Sequence, residues 1–203
     1  MSPEPLAAER AYHRLKADLM SGRYSPGTLL VERLLAHECG VSVSPVRDAA
    51  QRLVGEGMLM IATGGGYQVP PLSKEGLLDL YNWHSHLLRL VIKSAKDIAP
   101  IEQQWGADRL DAPAVARLAT GWFRRLAAEA ANVEVASALQ SANDRLQSIR
   151  LGEGLVLPNL DTEFEAVVNS TASGKGRDRF EAIWAYHRRR IRRSGKIFEA
   201  IVR

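Results

Sequence analysis

Several features that mark other protein classes are missing from this chain of 203 residues. It has one cysteine, Cys39, so no disulfide can form within the chain, and an apolar helical pattern around it predicts a buried, unreactive thiol. No apolar run reaches the roughly 18 residues that a membrane-spanning helix needs. The first residues also lack the basic and then apolar order of a secretory signal. These absences predict a protein of the reducing cytoplasm that has no membrane partner.

The signatures of common enzyme classes are absent as well. No glycine-rich phosphate loop follows a strand, no nucleophile elbow occurs, and no Cys/His pairing is present. The glycine run at 64–66 lies between two short apolar segments, which is typical of a hairpin turn. We therefore expect a binding protein that is not an enzyme and carries no cofactor.

The positive charge of the chain is unevenly distributed. The net charge is +4, yet residues 1–72 carry seven basic and seven acidic side chains, so the surplus lies in residues 73–203. A basic chain is compatible with nucleic acid. In the neutral first part, however, any affinity for DNA has to come from where individual arginines point.

Residues 1–72 show the pattern of three helices followed by a β-hairpin. Apolar residues recur at helical spacing over about 6–21, 32–39 and 42–54, and Gly22, Gly40 and the GEG at 55–57 end these segments, while Pro26-Gly27 marks a turn. Ser42 or Ser44 can cap the third helix, and Pro45 suits its first turn. Two short apolar runs, 58–62 and 67–69, flank the glycines of the hairpin.

This order is that of a winged helix-turn-helix domain, and the segments that form it resemble one family. Residues 12–69 are similar to the N-terminal domain of the GntR family of bacterial transcriptional regulators. Four segments carry the resemblance: SGRYSPGTLL (21–30), ERLLAHECGVS (32–42), SPVRDAAQRLVGEGML (44–59) and GGGYQV (64–69). The resemblance implies a DNA-binding domain over residues 1–72.

The resemblance also implies which residues meet DNA. An arginine in the major groove can hydrogen-bond guanine O6 and N7, and a helix N-terminus can hold a phosphate. Arg52 is expected to be a surface or ion-paired residue, with Asp48 four residues before it. Val43 stands where relatives often have arginine, so operator preference should differ from theirs. The implied contacts are Arg33, Ser42, Ser44, Arg47, Gly65 and Gly66.

Residues 73–203 lack strand-like alternation and predict an all-α bundle, so the expected fold class is mainly α. Helices are expected at about 75–95, 101–109, 112–130, 133–150, 158–172 and 177–201, with loops at 152–154 and 173–176. WFRRLAAEAANVEVASAL (122–139) and RFEAIWAYHRRRI (179–191) resemble the effector-binding domain of FadR-like regulators. That resemblance implies effector binding and dimerisation by this domain, and a homodimer on double-stranded, near-palindromic operator DNA.

Many FadR-like domains hold a metal ion with one Asp and three His. The corresponding positions here are Thr120, Arg124, Phe164 and His187, so three of the four ligands are missing. A single imidazole does not make a metal site, because the ligands must converge from separate helices. We expect no bound metal.

The replacements predict a different kind of pocket. Arg124 inside a bundle would be a costly unpaired charge, which a carboxylate of a small anionic effector could neutralise. His84 and His187 are expected to line the same site, and His86 is a further candidate. Three alternatives remain open: Arg124 exposed or internally paired, the histidines serving as packing or surface residues, and a bundle that has lost sensing and only dimerises. The basic run at 188–193 is expected to be a solvated helix face whose arginines pair with neighbouring acids. This interpretation is favoured over a contact with DNA.

Overall fold

The computed structural model describes residues 3–94, 109–173 and 176–202. Its contacts divide the chain into two compact units, Met1–Leu72 and Ser73–Arg203. The helix expected at about 101–109 falls outside the described residues except for its last position, and so does the middle of the loop expected at 173–176.

The first unit contains three helices and a small antiparallel sheet. Its elements are α1 (Pro3–Met20), β1 (Leu29–Leu30), α2 (Glu32–Cys39), α3 (Val43–Gly55), β2 (Met60–Ile61) and β3 (Tyr67–Gln68). The strand order is β1-β3-β2, with Leu29 opposite Gln68 and Leu30 opposite Tyr67. Strand β1 was not predicted, because the Pro26-Gly27 turn signal favoured a loop and the pairing partner lies far along the chain.

The core of this unit fixes which face of α3 is left outside. Val46, Ala49, Ala50 and Leu53 of α3 are fully buried and form one stripe, packed with Ala11 and Leu15 of α1. Burial of that stripe holds the opposite face of α3 towards solvent. Cys39, expected to be buried, is only partly buried at the end of α2, although burial still raises the pKa of its thiol.

The turn between α2 and α3 depends on one glycine. Gly40 ends α2 with φ of +63°, and its backbone N–H bonds the carbonyls of Ala36 and His37. This left-handed conformation strains side chains other than glycine. Gly40 thereby sets the angle at which α3 leaves α2.

The second unit is a helical bundle. Its helices are α4 (Lys74–Ser94), α5 (Ala112–Ala128), α6 (Val133–Glu153), α7 (Leu160–Ser173) and α8 (Gly176–Ile201). Helices α4 and α8 run antiparallel, because Lys74 pairs with Glu199 at 2.6 Å while His84 meets His187 at 2.8 Å. The predicted fold class is confirmed: mainly α, with an N-terminal winged helix-turn-helix followed by an all-α bundle.

One predicted loop of the bundle is part of a helix. Helix α6 continues through Gly152 and Glu153, which were expected to lie in a loop, and Gly154 is its C-cap. The buried carboxylate of Glu153 accepts hydrogen bonds from Tyr81 (2.8 Å) and Arg190 (2.9 Å), which anchors the last turn. Within the described ranges, no helix combines the length and the apolarity needed to cross a membrane.

Candidate DNA-binding surface and bundle interior

The first turn of α3 is exposed and lacks a side-chain cap. Ser42 occupies the N-cap position with extended backbone, but its hydroxyl does not cap the helix. Ser42 and Ser44 are both exposed, and neither hydroxyl bonds any other described residue. Free N–H groups at a helix N-terminus attract anions, and the helix dipole adds to the attraction. This turn is therefore suited to hold a DNA phosphate.

Arg47 extends from the exposed face of α3. Its side chain is 57% exposed, and Nε and Nη2 donate to the two carboxylate oxygens of Glu32 at 3.2 and 2.8 Å. The arginine lowers the pKa of Glu32. An exposed pair of this kind is worth at most about 1 kcal/mol, so the guanidinium can exchange it for a base edge. Arg33, also exposed, follows Glu32 at the start of α2.

The hairpin β2–β3 forms the wing and is linked to α3. The hydroxyl of Tyr67, a buried residue of β3, accepts from Gln51 Nε2 at 3.3 Å and donates to the Arg47 carbonyl at 3.5 Å. Gly65 and Gly66 have φ of +92° and +76° at the hairpin turn. A Cβ on Gly66 would lie 2.8 Å from the Leu30 carbonyl oxygen, whereas Gly65 faces open space. Gly66 is therefore required by packing, and Gly65 lies at the exposed tip.

Two other residues of α3 do not belong to the open face. Val43 is partly buried and packs against the core of the unit. Arg52 pairs with Glu9 at 2.6 Å, and its guanidinium lies 3.8 Å from the Tyr12 ring centroid. The partner expected from sequence, Asp48, is thus not the one observed. Arg52 is held against α1, on the other side of α3 from Arg47.

The interior of the bundle brings His84, His187 and Arg150 together. His84 Nδ1 lies 2.8 Å from His187 Nε2, and Arg150 Nη2 lies 3.5 Å from His84 Nε2. Both histidines are fully buried and Arg150 is 2% exposed. The ring of Phe123 packs against His84 and lies under the Arg150 guanidinium.

The hydrogen bonds of this cluster assign the tautomers of both imidazoles. His187 Nδ1 is 2.8 Å from the Ile183 carbonyl, so it carries a proton and donates it there. His187 Nε2 must then accept from His84 Nδ1–H, and His84 Nε2 faces the donor group of Arg150. Burial lowers the pKa of His187 to about 3 and, together with Arg150, lowers the pKa of His84 well below its usual value. Both imidazoles are neutral near pH 7.

Arg150 is a buried cation whose neighbours are neutral. Its Nη1 donates to Thr120 Oγ1 at 2.7 Å and to the Asn143 carbonyl and side-chain oxygens at 3.1 and 2.9 Å. No carboxylate pairs with it within the part of the chain that the structure describes. The other buried arginine, Arg190, contacts Glu153 at 2.9 Å and Glu163 at 3.0 Å. Of the two buried arginines, Arg190 therefore has a described counter-charge and Arg150 does not.

Arg124, predicted to enter this interior, does not. Its side chain is 48% exposed and pairs with the buried Asp144 at 3.0 Å. Position 124 lies at the edge of α5 that faces α6, so the charge reaches both solvent and a carboxylate. His86 is exposed on α4 and is likewise outside the interior.

Sequence reasoning missed Arg150, although the signal was present. Asn143, Leu146, Gln147 and Arg150 recur at the spacing of one helix face, and all four are buried. A helix face of this spacing is usually buried in a bundle, and this signal could have identified the arginine as an interior residue.

The residues at the family's metal positions do not fit a metal ion. The Thr120 hydroxyl donates to Gln147 and accepts from Arg150, and Phe164 is a buried ring. His187 Nε2 is occupied by His84. No group of three or more His, Cys, Asp or Glu that could hold a metal converges within residues 3–94, 109–173 and 176–202.

A helix-turn-helix that leaves one face of its second helix open is a common means of binding DNA. Residues 7–69 match the sequence profile of the bacterial regulatory proteins of the gntR family. The N-terminal unit thus contains a helix-turn-helix domain of the GntR type, over residues 7–69.

Curated relatives match between about a third and a half of the chain. The HTH-type transcriptional repressor GlaR of Escherichia coli K12 is 30% identical over 99 residues, 49% of this chain and 44% of GlaR. The HTH-type transcriptional regulator McbR of the same strain is 38% identical over 63 residues, 31% of this chain and 28% of McbR. The chain thus spans less than half the length of these relatives.

Solved structures match along nearly the whole chain. A GntR transcriptional regulator structure from Rhodococcus sp. RHA1 has a TM-score of 0.70 at 15% identity, covering 95% of this chain and 98% of that one. E. coli McbR/YncC has a TM-score of 0.64 at 15% identity, covering 98% and 100%. At this identity the likeness establishes the fold alone.

Proposed function

We propose that this protein is a DNA-binding transcriptional regulator that acts as a homodimer on a near-palindromic operator. The observation that carries the proposal is Arg47, an exposed arginine of α3 that lies outside its buried stripe. Arg33 lies beside the same Glu32 that holds Arg47, and Ser42 and Ser44 stand at the open first turn. The DNA-binding relatives GlaR and McbR support the same function.

On this proposal, each residue of the surface has a distinct task. Arg47 leaves Glu32 and hydrogen-bonds a guanine edge in the major groove. The serine hydroxyls and the first-turn N–H groups of α3 hold a phosphate and fix the register. Gly65 brings the wing backbone close to the adjacent minor groove, and Arg33 adds a second positive contact. A two-fold dimer presents two such surfaces to two half-sites.

The Arg47→Ala variant tests the assignment of α3. We expect it to weaken binding to an operator selected from genomic DNA by about 1–3 kcal/mol, because one base-edge contact is lost. Fluorescence anisotropy at fixed salt measures the change. Arg52→Ala is the matched control, since it removes an arginine of the same helix that pairs with Glu9. Equal losses in both variants, or none in Arg47→Ala, would show that α3 does not read DNA through this face.

The second part of the proposal is that the bundle binds a small anionic effector, such as an organic acid. The role of binding the effector, which sequence analysis gave to Arg124, belongs to Arg150 in this proposal. His84 and His187 lie beside Arg150. A buried cation without a counter-charge is costly, and a carboxylate could neutralise it with two parallel hydrogen bonds. Effector binding would then change the placement of the two winged helices and hence operator affinity.

A second candidate function is a regulator whose bundle only dimerises. This candidate is favoured because the guanidinium of Arg150 already contacts neutral acceptors on Thr120, Asn143 and His84 and so does not need an anion to hydrogen-bond. Buried aromatic rings, Phe123 and Phe164, also fill space in the same interior. The two candidates differ in one property, because only the first binds an organic acid through Arg150.

A further inference from the structure

Helix α8 carries most of the unbalanced charge of the molecule. It holds eight lysines and arginines and three acids, a surplus of five on one helix, in a chain whose net charge is +4. The first unit is neutral by the same count. The strongest positive field of the protein therefore lies outside the unit that resembles DNA-binding domains.

Four of these arginines surround a groove on α8. Arg188, Arg189, Arg192 and Arg193 line it together with Ala185, and its volume is about 300 Å³. Positions 188 and 192, and positions 189 and 193, are four residues apart, so the arginines form two adjacent columns along the helix. The small side chain of Ala185 leaves space between them. We call these five residues the arginine groove.

The sequence-based expectation that this run pairs with neighbouring acids is only half correct. Arg189 pairs with Glu163 at 3.1 Å, and the buried Arg190 pairs with Glu153 and Glu163. Three other arginines of the run are exposed and form no ion pair or hydrogen bond with any described residue: Arg188, Arg192 and Arg193. Like charges four residues apart repel one another and destabilise a helix. Among the described residues, no ion pair or hydrogen bond of these three arginines stabilises the fold.

The chemistry of the groove favours a polyanion with phosphate groups. Guanidinium groups bind phosphate with two parallel hydrogen bonds, and several arginines in one row suit a row of phosphates. An acidic peptide would need apolar pockets for anchoring side chains, and Ala185 is the only apolar residue among those that line the groove.

We propose that the arginine groove binds the phosphate backbone of duplex DNA and supplies sequence-independent affinity that the neutral first unit lacks. This inference rests on the proposed function, DNA binding by the chain. Each phosphate that an arginine neutralises releases condensed counterions, so the contacts appear in the salt dependence of binding.

The test is the slope of log Kobs against log salt concentration for the full chain, its Arg188→Gln/Arg192→Gln/Arg193→Gln variant and a matched control. The control, Arg89→Gln/Arg117→Gln/Arg125→Gln, removes three exposed arginines from α4 and α5 and leaves the same net charge. Each phosphate contact contributes about 0.9 to the magnitude of the slope. We therefore expect the loss of three arginines in the groove variant to lower that magnitude by about 2–3. Operator and random duplex should lose affinity alike, and the control should keep the slope of the unaltered chain. Circular dichroism verifies that all three proteins are folded.

The possible outcomes separate the inference from its alternatives. A reduced slope in the groove variant alone supports the inference, whereas an unchanged slope, or equal reductions in both variants, overturns it. Loss of binding to a labelled polyglutamate peptide with an unchanged DNA slope also overturns it and assigns the groove to acidic protein partners. If the unaltered chain binds neither operator nor random duplex, the proposed function itself fails.

Discussion

At the residue scale, one buried cluster of the bundle consists of Arg150 and two neutral histidines, His84 and His187. Sequence alone identified His84 and His187 as candidates, because a family resemblance supplied their positions. It offered Arg124 and did not consider Arg150, since the same resemblance pointed to α5. The difference between a half-exposed arginine beside Asp144 and a buried arginine beside Thr120 depends on how α5 and α6 pack, and a single sequence does not contain that packing.

The neutral histidines give a pH dependence with a definite sign. Below pH 6.5, His84 and His187 become protonated in the unfolded chain. In the folded bundle they stay neutral until the pH reaches their lowered pKa values, about 3 for His187. The free energy of unfolding should therefore fall as pH falls from about 6.5, by up to about 1.4 kcal/mol per pH unit for each histidine. Urea unfolding at pH 7, 6 and 5, followed by tryptophan fluorescence, measures this, since all four tryptophans lie within residues 73–203.

Two variants separate the buried pair from other titrating groups. His187→Gln keeps an acceptor for His84 and should flatten the pH dependence, while His86→Gln changes an exposed histidine and should leave it unaltered. A stability that is constant from pH 7 to pH 5 in the unaltered protein would contradict the neutral, buried pair.

At the element scale, most helices could be predicted because hydrophobic periodicity and glycine stops are local signals. Helix α2 begins and ends where the pattern placed it, and Gly40 stops it as expected. Strand β1 could not be predicted, because its two residues acquire strand geometry only by pairing with β3. Helix α6 exceeds its predicted end because Glu153 finds buried partners on α4 and α8.

The wing gives a prediction that compares two neighbouring glycines. Alanine at either position is strained by the positive φ, which costs about 1 kcal/mol or more. Gly66→Ala also places a Cβ 2.8 Å from the Leu30 carbonyl, so it should destabilise the first unit more than Gly65→Ala does. Amide hydrogen exchange of α1–α3 in the full chain measures the difference, with α4–α8 as the internal reference. Equal exchange in the two variants would show that β1 does not constrain the wing.

At the scale of the whole molecule, the two units differ in how far sequence can describe them. The first has dense family motifs, and its fold and candidate contacts follow from them. The second has few motifs, and its interior combines Arg150 with neutral partners in place of the family's metal ligands. Its chemistry depends on packing that only the structure shows, and the effector that we propose for it is an anion that pairs with Arg150.

On the proposed function, one molecule couples operator binding to an acid held by Arg150. Thermal shifts across a panel of organic acids first identify any acid that stabilises the full chain. Operator affinity is then measured with and without that acid for the unaltered protein, for Arg150→Gln and for Arg124→Gln. We expect the acid to change operator affinity by about 5- to 150-fold in the unaltered protein and in Arg124→Gln, and not in Arg150→Gln. Operator affinity that is the same with and without every acid that binds would contradict the account and leave the bundle as a dimerisation module.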